Sequence, residues 1–225
     1  GLFAQHLLLQ AQDGWEGWAT DETAAKFLNN PFMNNTCRIA GGHLGTPLGK
    51  KRPTWDFSTS KLTETGLQAL WLIMEKNEKL TTLLLHGNVV GKRETDAAGI
   101  ARMLMTSTAL THLSLGSNYL GELKHQLRFL GRGLSANKNL VNFDVSNNGL
   151  GPDGIRSICT ALRSCMSLRK VDVSYNNPGR EPALSDLLRH HPNIRSIGVV
   201  ENEPMSRMER TFHLDARAKE MIGRA

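Results

Sequence analysis

The chain has 225 residues, 40% hydrophobic and 21% charged, with a formal net charge of +6 and a pI near 9.4. This is an ordinary globular balance, and the length suits one domain with appended ends. No apolar stretch approaches the roughly 20 residues of a membrane span, so membrane insertion is not expected.

Basic residues are scattered. The densest run is Lys50-Lys51-Arg52, too short for a nucleic-acid arm. The positive charge still leaves open a nucleic-acid contact within a larger assembly. Three cysteines, Cys37, Cys159 and Cys165, form no C-x-x-C pair. An odd count without framework spacing points to reduced thiols inside a cell.

Leu2 to Leu9 is apolar but contains Gln5 and His6 and has no basic segment before it, so it does not read as a signal peptide. The chain begins with glycine, and a targeting segment removed ahead of it stays open. Asp21 to Leu28 reads as a short helix, capped by Asp21, with Ala24, Phe27 and Leu28 on one face. Asn29-Asn30-Pro31 stops it. From Ala40 to Pro53, glycines, prolines and the basic run describe a loop or extended arm. Trp15, Trp18 and Phe32 stand in a polar setting. Two roles suit them: capping an open core, or anchoring the arm to another chain.

A phrase then recurs. It reads Leu80-Thr-Thr-Leu83-Leu-Leu85-His-Gly-Asn88, and returns at 110–118, 140–148, 168–176 and 194–202. A degraded copy begins at Arg52, with Trp55 and Phe57 in the strand positions and Ser60 in the asparagine place. The starts at 52, 80, 110, 140, 168 and 194 are 26 to 30 residues apart. Each phrase opens as a period-two strand. The residues behind it predict a helix. Six places before successive starts stand Met74, Leu104, Leu134, Leu162 and Leu188; ten places before stand Leu70, Ile100, Leu130, Ile158 and Leu184. That four-residue step puts both sets on one helical face. Small residues near them, among them Gly99, Ala101, Gly133 and Ala161, allow close helix approach.

The asparagines Asn88, Asn118, Asn148, Asn176 and Asn202 close the phrases. An amide carries two donors and an acceptor, so each is expected to satisfy backbone groups where the chain bends after the strand. They are read as a structural ladder, not as a site. After Asn202 the tail from Met205 to Ala225 is polar and basic, with Met208, Phe212, Leu214, Met221 and Ile222 spaced through it. A helical tail is expected, serving as a cap or docking on a partner.

The L-x-x-L-x-L-x-x-N phrase, and in particular Phe143-Asp-Val-Ser-Asn-Asn-Gly-Leu150 followed by Gly-Pro-Asp-Gly-Ile-Arg-Ser-Ile-Cys-Thr-Ala-Leu162, resembles the ribonuclease-inhibitor class of leucine-rich repeats. That class includes ribonuclease inhibitor, the Ran GTPase-activating protein, tropomodulin and the NOD-like receptors. The resemblance covers 52 to 202 and implies an α/β fold: a right-handed βα solenoid of about six repeats. Residues 1–51 would form an N-terminal cap and arm, and 203–225 a C-terminal tail or cap. Two repeats depart from the pattern through inserts at Val89–Thr95 and Tyr119–His125, and no segment matches a GTPase-activating arginine loop.

The residues alternating with the buried ladder set an open face. Asp144 and Asp172 fall in one column there, after Ser114. A catalytic carboxylate pair needs one pKa raised by burial, and a small-residue face offers little of it, so no catalytic residue is assigned. The histidines show no metal spacing, His190-His191 closes a helix near its C-terminal dipole, and no cofactor is expected. Arg180, Arg189 and Arg195 make a basic end.

The expected role is a non-enzymatic protein–protein interaction scaffold. It would be a structural subunit of a large intracellular assembly, mitochondrial-ribosome-like or cytoskeletal and ciliary, with its location cytoplasmic or mitochondrial. Its partner-binding candidates are Trp15, Trp18, Phe32, Lys50, Lys51, Arg52 and Phe212. The resemblance also allows an enzyme regulator, of GTPase-activating or inhibitor type, or an actin cap similar to tropomodulin.

Overall fold

The computed structural model describes residues 54–59, 62, 64–75, 77 and 80–199. Strands and helices alternate along this chain: β1 (Thr54–Asp56), α1 (Glu64–Glu75), β2 (Thr82–Leu84), α2 (Glu94–Thr106), β3 (His112–Ser114), α3 (Leu127–Ala136), β4 (Asn142–Asp144), α4 (Gly151–Leu162), β5 (Lys170–Asp172), α5 (Ala183–His190) and β6 (Ser196–Gly198). The six strands form one parallel sheet in sequence order. Trp55, Leu83, Leu113, Phe143, Val171 and Ile197 lie side by side across it.

The strand burial follows from period two. The middle residue of every strand is buried and its two neighbours are not. The strand centres pack inward against the helices. Both predicted helix sets, from Met74 to Leu188 and from Leu70 to Leu184, are buried in the same continuous core. Each repeat alone is too thin to cover its apolar side, and stacking supplies the missing wall.

The helices come close where small residues permit it. A Cβ added to Gly133 would lie 2.7 Å from Ala101 Cα, and one on Gly99 would lie 2.5 Å from the Trp71 ring. The insert at Tyr119–His125 becomes a run of 3-10 turns, Leu120–Gln126, with non-helical backbone at Lys124. A Cβ on Gly121 would sit 2.0 Å from Gly149 O, so the insert lies directly on the next loop.

Two side-chain ladders run along the sheet, one past the far ends of β2 to β5 and one before the near ends of β2 to β6. At the far end, the amide of Asn118 donates to Leu85 O, Leu115 O and Gly116 O, each at 2.9 Å. Its Oδ1 accepts from Asn88 N at 3.2 Å and Val90 N at 3.0 Å. Asn88, Asn148 and Asn176 repeat this arrangement, each donating to its own repeat and to the one before. One residue ahead of each stands a left-handed backbone position: Gly87, Ser117, Asn147 and Tyr175.

The near-end ladder was not read from the sequence. It sits three residues before each phrase, at Asn77, Ser107, Asn137, Cys165 and His191, all buried. Asn137 Oδ1 accepts from Asn139 N and Leu140 N at 2.9 and 2.7 Å, while its amide donates to Leu104 O at 2.7 Å. Asn77 Oδ1 and Ser107 Oγ each accept from the N–H three residues on. Cys165 Sγ donates to Leu134 O. His191 is the last described member of this ladder. Its Nδ1 accepts from Asn193 N and Ile194 N at 3.3 and 3.1 Å, and Nε2 lies 3.1 Å from Cys165 O. Two N–H groups aimed at Nδ1 place the ring proton on Nε2. His190 does meet the helix end, with Nδ1 at 2.8 Å from Asp186 O.

Candidate interaction surface

The open side of the sheet forms a groove of about 600 Å³, floored by β3 to β6. Its middle column runs Ser114, Asp144, Asp172 and Gly198 in register. Beside it run His112, Asn142, Lys170 and Ser196. Asp144 is held on both oxygens. Ser114 Oγ donates to Oδ2 at 2.6 Å, and Ser146 donates to Oδ1 through Oγ at 2.7 Å and through its backbone N–H at 2.9 Å. Asp172 accepts the Ser174 N–H at 2.9 Å. Gly116 and Gly198 leave room for these carboxylates. A Cβ on the first would stand 2.9 Å from Asp144 Oδ2 and 2.8 Å from His86 Nδ1, and a Cβ on the second 2.4 Å from Asp172 Oδ1.

This arrangement positions dipoles but assembles no nucleophile with a base. The hydroxyl of Ser114 donates its hydrogen bond to a carboxylate that two other donors already share. A general base must instead face a reacting proton within reach. His112 contacts its neighbour Thr111 Oγ1 at 2.7 Å. Among the described residues, no group of three His, Cys, Asp or Glu could hold a metal ion, and no helix is long and apolar enough to cross a membrane. Burial pushes the Cys159 thiol up to about 12 and the Cys165 thiol up to about 11, so both stay protonated near neutral pH and act as small core groups.

The helical side carries the ion pairs. Arg102 of α2 pairs with Glu75 of α1. Arg156 of α4 meets Asp153 at 2.9 Å and Glu181 ahead of α5. Arg163 reaches Asp186 of α5 at 3.5 Å. On the loop edge, Lys92 pairs with Glu122 at 3.1 Å and lies 3.8 Å above the Tyr119 ring.

The partner-binding candidates Trp15, Trp18, Phe32, Lys50, Lys51, Arg52 and Phe212 lie outside the described residues, as do Asn202, the helix expected at 21–28, the arm and the tail. Arg180, Arg189 and Arg195 are exposed at the last repeat.

A family profile described as Leucine Rich repeat matches residues 136–159, which span the end of α3, β4 and most of α4. The chain is a leucine-rich repeat protein. Its solenoid is of the ribonuclease-inhibitor-like class, as its relatives also indicate. It is 29% identical over 153 residues to human NACHT, LRR and PYD domains-containing protein 14, covering 63% of this chain and 13% of that protein. It is 32% identical over 111 residues to Ran GTPase-activating protein 1 of Xenopus laevis, 47% of this chain and 19% of the relative. It is 29% identical over 126 residues to Rho GTPase-activating protein gacW of Dictyostelium discoideum, 54% and 11%. The solenoid thus spans less than a fifth of the length of each of these relatives. The leucine-rich repeat fold is generally a protein-interaction fold without chemistry of its own.

Proposed function

We propose that this solenoid is a non-enzymatic scaffold, a structural subunit that holds protein partners in a multi-subunit intracellular assembly. The observation that carries the reading is the fate of Asp144. The carboxylate best placed for chemistry in the groove is instead held on both oxygens by Ser114 and Ser146. The polar groups at both strand ends are likewise spent on ladders that fix one repeat to the next. Such a body presents surfaces and does not move groups. Crosslinking mass spectrometry on native extract tests this. Reproducible crosslinks to several neighbouring subunits are expected, and a chain that crosslinks only to itself would sink the proposal. A mitochondrial or ribonucleoprotein setting would further appear as nucleic acid co-purifying with those neighbours.

A second reading rests on two relatives whose names describe GTPase activation. In this reading the solenoid regulates a small GTPase. The discriminating measurement is GTP hydrolysis by Ran- and Rho-type GTPases with and without the purified chain. The scaffold reading expects no acceleration.

A further inference from the structure

The ion pairs on the helical side leave out one helix. The α1–α2 and α4–α5 neighbours are joined through Glu75–Arg102 and Arg163–Asp186, and Arg156 is held by Asp153 and Glu181. The middle helix, α3, presents Arg128 and Arg132, both exposed, and among the described residues neither has a carboxylate partner. The sequence offers none nearby in the chain. Between Glu122 and Asp144 there is no acidic residue, while Lys124, His125, Arg128, Arg132 and Lys138 all fall there. Both guanidiniums lie over one ring. Arg128 Cζ stands 5.1 Å from the Phe129 centroid and Arg132 Cζ 5.7 Å.

We propose that Arg128, Phe129 and Arg132 form a docking surface for an acidic segment of a partner protein. The proposal rests on the scaffold reading and adds the chemistry of one partner contact. A guanidinium stacked on an aromatic face is held in place by the ring and keeps its edge donors directed outward. That edge fits a carboxylate in a two-pronged hydrogen bond. The two arginines are one helical turn apart, a rise of about 6 Å. Carboxylates spaced i,i+4 on a partner helix have the same separation.

A nucleic acid fits less well. A phosphate backbone is uniformly charged. Running across the helices, it would leave α3 and meet arginines already matched by carboxylates, Arg102 by Glu75 on one side and Arg156 and Arg163 by Asp153, Glu181 and Asp186 on the other. A basic strip one helix wide suits a short acidic segment.

Fluorescence anisotropy with three labelled probes tests the surface on the purified chain. The first is a helical peptide of about 16 residues with glutamates at i,i+4 spacing, long enough to hold helix. The second is the same peptide with glutamine in place of glutamate. The third is a short oligouridylate of matched charge. The intact protein should bind the glutamate peptide and not its glutamine counterpart. Arg128→Gln with Arg132→Gln should weaken binding about tenfold or more, the loss expected on removing charged hydrogen bonds. Arg163→Gln, which opens an existing pair on the neighbouring helix, should leave it unchanged. Thermal melts confirm that all variants fold.

The proposal is overturned by a double variant that binds as the intact chain does, by no measurable binding of the glutamate peptide, or by tighter binding of the oligonucleotide lost in the same variant. Native crosslinks to neighbours through other faces would keep the scaffold reading alive while this surface failed.

Discussion

Trp71 of α1 donates its indole N–H to Asp96 Oδ1 of α2 at 3.1 Å, and the other carboxylate oxygen accepts Gly91 N at 3.0 Å. Asp96 is 1% exposed. One side chain therefore joins two helices and the inserted loop between β2 and α2. Asp96→Ala would leave two buried donors without this acceptor, each worth about 1–3 kcal/mol when stranded. Asp96→Asn keeps one carbonyl oxygen and should cost less. Urea melts read the order, and equal losses for the two variants would show that the carboxylate's hydrogen bonds carry no weight.

Leu115 is fully buried in the centre of the stack, whereas Ser114 faces the groove. Leu115→Ala should destabilise by about 2–5 kcal/mol, as core truncations do. Ser114→Ala removes one donor from a carboxylate that keeps two others, and should cost little. Comparable losses would mean that the packing wall is not where the sheet places it.

In the near-end ladder His191 occupies the place held by Asn77 and Asn137 two or more repeats earlier. An asparagine has the same acceptor and donor pair, so His191→Asn should be tolerated. His191→Leu fills the space but accepts nothing from Asn193 N and Ile194 N. It should lower stability by about 1–3 kcal/mol, with early loss of amide-exchange protection at β6. Equal behaviour of the two variants contradicts the hydrogen-bonding role.

The Glu181 carboxyl titrates below the usual carboxylate range, chiefly through the hydrogen bond from Arg156, with the Ala183 N–H and the arginine charge adding to it against burial. A depressed folded pKa stabilises the fold above the unfolded value of about 4.3. That contribution is lost as pH falls through the folded value. Glu181→Gln should therefore flatten the loss of stability on acidification below about pH 5, and change the slope less near neutrality. Arg156 is shifted upward by the same pair, so its effect falls at strongly alkaline pH and does not enter this window. Melting temperatures between pH 3 and 7 provide the comparison.

The sheet was legible because its signals are local and repeated. Leu83, Leu113 and Val171 recur at a fixed place in a period-two phrase, and Leu70 with Met74 marks a helix face by a four-residue step. The near-end ladder was written at an equally fixed place, three residues before each phrase. It carries no recurring letter, because Asn77, Ser107, Asn137, Cys165 and His191 share no side-chain type, only a polar atom at the right reach. Aligning the repeats by start position would have exposed it. The α3 surface could not be read in advance, since Arg128 and Arg102 look alike until the pairing of Glu75 is known. Trp15, Trp18, Phe32 and Phe212 stay as the sequence left them.

The asparagine ladder gives the stack a direction. Leu62 N is answered by Asn88, Val90 N by Asn118, Leu120 N by Asn148 and Leu150 N by Asn176. Each of these four loop amides is answered by the repeat that follows it. Growth and erosion of such an array are therefore unequal at its two ends. Removing a unit from the amino-terminal side takes one carbonyl from the next asparagine amide, which keeps two others in its own repeat. Removing one from the carboxyl-terminal side strips the acceptor from the loop left behind. Each truncation at that end inherits a debt that only another asparagine in the next phrase, the place Asn202 holds in this sequence, is shaped to settle.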